Sequence, residues 1–74
     1  MEESLQYVDF VEFLGEETAT RSGWDGRKKR QKRVTFLTVD NRDRSVERRT
    51  FWLLDLMASR KGKRALKRFR YQYN

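Results

Sequence analysis

The sequence predicts an α+β fold, a small antiparallel β-sheet of two or three strands with a basic C-terminal helix packed on one face. Three observations carry this expectation. Two runs rich in β-branched and aromatic residues flank a cluster of turn formers between residues 33 and 53. The apolar period then lengthens from two residues to about 3.6. With 74 residues, 36% of them hydrophobic, the chain has material for one thin core and is read as a single domain over 1-74.

The first stretch, "LQYVDFVEFLG", supports two readings. Tyr7, Phe10, Val11 and Leu14 fall at helical spacing, opened by Ser4 and closed by Gly15, while the abundance of Tyr, Val and Phe favours a strand. A strand over residues 5 to 14 is preferred. Residues 15-32, "GEETATRSGWDGRKKRQK", contain three of the four glycines and no apolar periodicity, which predicts a long basic loop, open to flexibility. Trp24 lies within it and is expected to fold back on the core.

"RVTFLTVD" reads as a strand, "DNRDRS" as a turn and "VERRTFWLL" as the returning strand, giving a hairpin from about Arg33 to Leu53. Beyond it, Phe51, Leu54, Ala58, Gly62, Ala65, Leu66, Phe69 and Tyr73 trace one helical stripe. Gly62 interrupts that stripe, so two shorter helices bent near Ser59 to Gly62 fit equally well. The expected core is Phe10, Val34, Phe36, Val39, Phe51, Leu53, Leu54, Leu56 and Leu66.

The absence of cysteine and histidine removes disulfides, thiolate or imidazole metal sites and the common nucleophile and base pairs, so a non-catalytic protein without cofactor or metal is expected. The competing enzyme reading would use Asp9 with Glu12, or Asp40 with Asp43, to hold Mg²⁺. The longest apolar run, Phe51 to Leu54, is far below the ~20 residues that span a bilayer. No membrane association is expected. The chain reads as intracellular: cytoplasmic, or nuclear in a eukaryotic setting.

Charge is divided unevenly. Residues 1 to 20 hold six acids and no Lys or Arg, whereas residues 21 to 74 hold 18 bases and five acids, within a formal total of +7. Such asymmetry points to a polyanionic partner. The run "GRKKRQKR" supplies Arg27, Lys28, Lys29, Arg30, Lys32 and Arg33, and no core can bury so much unpaired charge. It resembles, over eight residues, the arginine-rich RNA-binding segment of lentiviral Tat proteins, whose cysteines this chain lacks, and it is similar to lysine-rich nuclear-import signals at Lys29, Arg30 and Lys32. No family function is carried across.

A second cluster, Arg60, Lys61, Lys63, Arg64, Lys67, Arg68 and Arg70, lies on the predicted C-terminal helix. Together the clusters point to backbone-phosphate binding, with Trp24, Tyr71 and Tyr73 as candidates for stacking on bases. Arg42, Arg44, Arg48 and Arg49 would extend the surface if the fold merged them with it. DNA and RNA, single or double stranded, fit alike. The alternative is a small accessory protein, of the kind encoded by viruses, phages or mobile elements, that binds and modulates a partner through an acidic protein surface, with Trp52 or Leu56 of "TFWLLDLM" as anchor. Glu2, Glu3, Glu16 and Glu17 would compete with phosphate if the fold brought them to the cations.

Overall fold

A computed structural model describes residues 5–72. The chain runs through β1 (Val8–Ser22), β2 (Lys28–Asp40), β3 (Val46–Trp52), α1 (Leu53–Met57) and α2 (Arg60–Arg68). The strands form one antiparallel sheet in the order β1-β2-β3, and the α+β architecture is the one the sequence predicts. Glu2, Glu3, the Ser4 cap and Tyr73 lie outside the described residues.

Strand β2 sets the two faces of the sheet. Its two-residue period buries Val34, Phe36, Thr38 and Asp40 on one side and leaves Thr35, Leu37 and Val39 half-buried on the other. The helices cover the first side. Phe36 is fully enclosed there, its ring 4.9 Å from that of Phe10, 5.5 Å from Phe13 and 5.4 Å from Phe69. Edge-on and tilted contacts of this kind add to the area that each ring buries. Leu5, Val8, Leu53, Leu56, Ala65 and Leu66 complete the core.

Two expected core residues are placed differently. Val39 falls on the opposite face because it is out of phase with Phe36. Leu54 is 54% exposed, since the short helix α1 turns Leu53 and Leu56 inward.

The ambiguous first stretch is a strand, and of Tyr7, Phe10, Val11 and Leu14 only Phe10 is buried. The register of β1 against β2 shifts between Phe10 and Glu12 and again between Phe13 and Gly15. A bulge resets the alternation by one residue. Phe10 and Phe13, which strict alternation would send to opposite faces, therefore both meet Phe36.

The helical region is two helices, and the break falls at Ala58 and Ser59. Ser59 is buried and its hydroxyl accepts from the Gly62 N–H at 3.2 Å, capping α2. Gly62 marks a close approach between the helices. A Cβ built there would lie 2.3 Å from the Leu56 carbonyl oxygen.

The long loop expected over 15–32 is absent. Residues up to Ser22 continue β1, β2 begins at Lys28, and only a tight connection separates them. The Gly23 N–H bonds the Arg27 carbonyl at 2.7 Å, the Gly26 N–H bonds the Gly23 carbonyl at 3.0 Å, and Gly26 adopts φ 81°, where a glycine is favoured. Because β3 pairs only with Arg33 to Val39, the segments 18–22 and 28–32 pair solely with each other. They form a two-stranded arm. It lacks apolar periodicity because it has no core to face.

Candidate nucleic-acid interface

Strand geometry distributes the "GRKKRQKR" cations over both faces of the arm. Lys28, Arg30 and Lys32 lie on the face that continues the helix-covered side of the sheet, opposite Ser22, Thr20 and Thr18. Lys29 and Arg33 lie on the other face, opposite Arg21 and Glu17. The hydroxyl ladder of Thr18, Thr20 and Ser22 was legible in the two-residue spacing of "TATRS", had that segment been read as a strand.

The arm is joined firmly to the body on its outer face. Arg21 makes a two-point contact with Asp55 of α1, at 3.2 and 3.1 Å, and its guanidinium lies 5.1 Å from the centre of the Trp52 ring. Arg33 lies 5.2 Å from the same ring and pairs with Glu17. Cation–π contacts and a forked arginine–carboxylate bond hold orientation well because both are directional. Sequence reasoning did not single out Arg21; its one signal was alternation with Thr18 and Thr20.

Near the arm's base, Lys32 pairs with Glu16 at 3.0 Å. That ion pair, with a hydrogen bond from Tyr71, holds the Glu16 carboxyl below the usual range. Burial, together with Glu16, pushes the Tyr71 phenol up to about 12. Its ring packs 5.7 Å from Phe13, so Tyr71 serves the rim of the core and is not presented for base stacking. Glu16 and Glu17 thus do reach the cations, though only Lys32 and Arg33.

Trp24 corrects another expectation. It is 99% exposed, at the tip of the arm. The tight turn directs it away from the body because the paired arm strands stand between it and the core. Beside it, Arg27 is held loosely to Asp25 at 3.7 Å.

Helix α2 runs alongside β1 and in the same direction, as its contacts show. Lys61 Nζ donates to the Gln6 carbonyl at 3.1 Å, Arg68 donates to the Phe10 carbonyl at 3.1 Å, and Tyr71 beyond the helix reaches Phe13 and Glu16. Lys61 and Arg68 are thereby used to seat the helix. Arg60, Lys63, Arg64 and Lys67, at helical spacing, line one shallow depression of about 410 Å³ beside Ala58. Arg70 is exposed just past the helix end, at φ 55°.

The predicted site residues therefore divide. Arg27, Lys32, Arg33, Lys61 and Arg68 have acidic or carbonyl partners. Lys28, Lys29, Arg30, Arg60, Lys63, Arg64, Lys67 and Arg70 form no ion pair among the described residues. In the second set the exposed stripe of α2 leads toward the arm base and Lys28 and Arg30 continue it on the same side of the sheet, a tandem array from which Lys29, on the other face, is separate.

The remaining arginines do not join this array. Arg42 and Arg44 occupy the β2–β3 turn, at the end of β2 remote from the arm. Arg42 bonds both carboxylate oxygens of the buried Asp40 and lies 4.3 Å from the centre of the Tyr7 ring. Arg48 lies on the outer face and Arg49 pairs with Glu47.

Three of the four carboxylates weighed for Mg²⁺ have other partners. Asp40 is held to about 2 by Arg42, Asp43 accepts from the Ser45 N–H, and Asp9 accepts from Asn41. Among the described residues no group of three or more His, Cys, Asp or Glu is placed to hold a metal ion, and no helix is long and apolar enough to cross a membrane. Comparison with protein-family models, curated proteins and solved structures returns no match.

Proposed function

We propose that this is a small, basic, non-catalytic nucleic-acid-binding protein that grips backbone phosphates through the α2 stripe and the β1–β2 arm. The observation that carries the reading is the tandem array of cations without acidic partners.

The array is costly to the isolated protein. Arg60, Lys61 and Lys63 occupy the first turn of α2, where no acid is present and the helix dipole disfavours cations by about 0.3–1 kcal/mol each. Arg60 with Arg64, and Lys63 with Lys67, are like-charged neighbours one turn apart, each pair unfavourable by about 0.2–0.5 kcal/mol. Helix stability does not explain the first-turn cations, whereas Lys67 and Arg68 in the last turn suit the dipole. A polyanion that neutralises the stripe would convert the repulsion into attraction and release its own counterions.

The test is fluorescence anisotropy of short labelled single-stranded and duplex DNA and RNA at about 50 and about 200 mM salt. Binding that weakens as salt rises supports the reading; no binding at the lower salt overturns it.

A second reading, a protein that binds and modulates a partner protein, draws on the sheet face away from the helices. Val11 is 45% exposed on β1 and Val46 62% on β3. The anchors expected from sequence do not serve it well: Leu56 is fully buried and Trp52 lies beneath Arg21 and Arg33. Retention of a partner by the wild type and its loss on Val46→Glu would favour this second reading.

A further inference from the structure

The arm carries cations on both faces and an exposed indole at its tip, and these features together narrow the ligand. A single strand or a flat acidic surface would meet one face of a ribbon. A groove bounded by two phosphate walls meets both. Lys28 and Arg30 point to one side and Lys29 to the other, and none of the three is paired among the described residues.

Dimensions favour one groove. The major groove of B-form DNA, about 12 Å wide, admits a two-stranded ribbon as it stands, whereas the minor groove, about 6 Å, must be widened at a deformation cost to take one. The major groove of duplex RNA is too narrow for it. At about 3.4 Å per residue, the groove depth of about 8.5 Å corresponds to roughly two to three strand residues. Counted from the tip, the Gly23–Arg27 turn takes up most of that depth, so Lys28, Lys29 and Arg30, the cations of the arm without ion-pair partners, stand near the phosphates at the groove's rim. Lys32 and Arg33, which have carboxylate partners, fall outside the groove.

Resting on the nucleic-acid reading, we propose that the arm enters the major groove of duplex DNA tip first, with Lys28, Lys29 and Arg30 against the two phosphate walls and Trp24 on the base pairs at the floor. The tight turn fixes the backbone that carries Trp24, so only the side chain's own freedom is lost when the ring makes contact. The α2 stripe, on the same side of the sheet as Lys28 and Arg30, then faces the phosphates outside the groove.

The test uses the full chain with four probes of one sequence: duplex DNA, the same duplex with its cytosines carrying glucosylated 5-hydroxymethyl groups that fill the major groove, duplex RNA, and single-stranded DNA. Wild type should bind plain duplex DNA tightest and lose affinity on the glucosylated duplex. Trp24→Ala should weaken binding to plain duplex by about tenfold to a hundredfold, the loss from removing a buried apolar contact with base edges, with its salt dependence unchanged. The emission of Trp24, taken as the difference between wild type and Trp24→Phe, should change on binding. Equal affinity for plain and glucosylated duplex, preference for the single strand or for duplex RNA, or wild-type duplex affinity in Trp24→Ala would each overturn the groove assignment while leaving the broader reading intact. Absence of salt-dependent binding to all four probes would overturn both. Trp24 is 99% exposed, so its replacement leaves the fold in place, as circular dichroism can verify.

Discussion

Replacing Lys28, Lys29 and Arg30 by glutamine measures how many phosphates the arm engages. None of the three has an ion-pair partner among the described residues, so each is free to neutralise one phosphate. For duplex DNA each such contact adds about 0.9 to the downward slope of log affinity against log salt, so the triple variant should lose about 2.7 of that slope. Between about 50 and about 200 mM salt, wild type should then lose about 40-fold more affinity than the variant. Anisotropy titrations at four or five salt concentrations give both slopes. The variant should unfold at nearly the wild-type temperature, because exposed substitutions away from packing and pairing usually fall within about 0.5 kcal/mol. A comparison pair, Lys32→Gln with Arg33→Gln, should change the slope less per charge removed, since Glu16 and Glu17 already neutralise these cations. If the triple variant retains the wild-type slope, its three side chains do not touch phosphate and the role assigned to the arm is wrong.

Other perturbations probe the fold that supports the array. Gly62→Ala puts a Cβ against the Leu56 carbonyl and should destabilise the protein by about 1–3 kcal/mol or more, read from urea unfolding; an unchanged midpoint would mean that the helices are not in close contact there. Phe36→Ala should cost about 3–5 kcal/mol by the same assay, because the ring is fully enclosed and touches three other aromatics. Asp40 sits near 2 when folded, below its ordinary 3.8, so its contribution is complete above that ordinary value and is lost as pH falls toward about 2. Thermal melts across this acid range should therefore fall more steeply in wild type than in Asp40→Asn, and parallel curves would show that the Arg42 contact does not stabilise the turn.

What the sequence determined by itself was whatever local pattern dictates. The alternation in "RVTFLTVD" and the turn chemistry of "DNRDRS" specify the β2–β3 hairpin, and the lengthened period after residue 51 specifies helices. The charge asymmetry and the two basic clusters are likewise properties of composition. Tertiary structure decided the rest. The arm escaped sequence reading because the usual sign of a strand is one apolar face, and a ribbon that leaves the body has nothing apolar to face. The bulges in β1 obscure its alternation, since each adds one residue to a two-residue period. Which cations remain unpaired is decided by contacts between residues distant in sequence, such as Lys32 with Glu16 and Arg68 with the Phe10 carbonyl, and no pattern along the chain encodes them. Trp24 is exposed for the same kind of reason: the pairing of residues 18–22 with 28–32 holds its turn away from the core that its apolar ring would otherwise join.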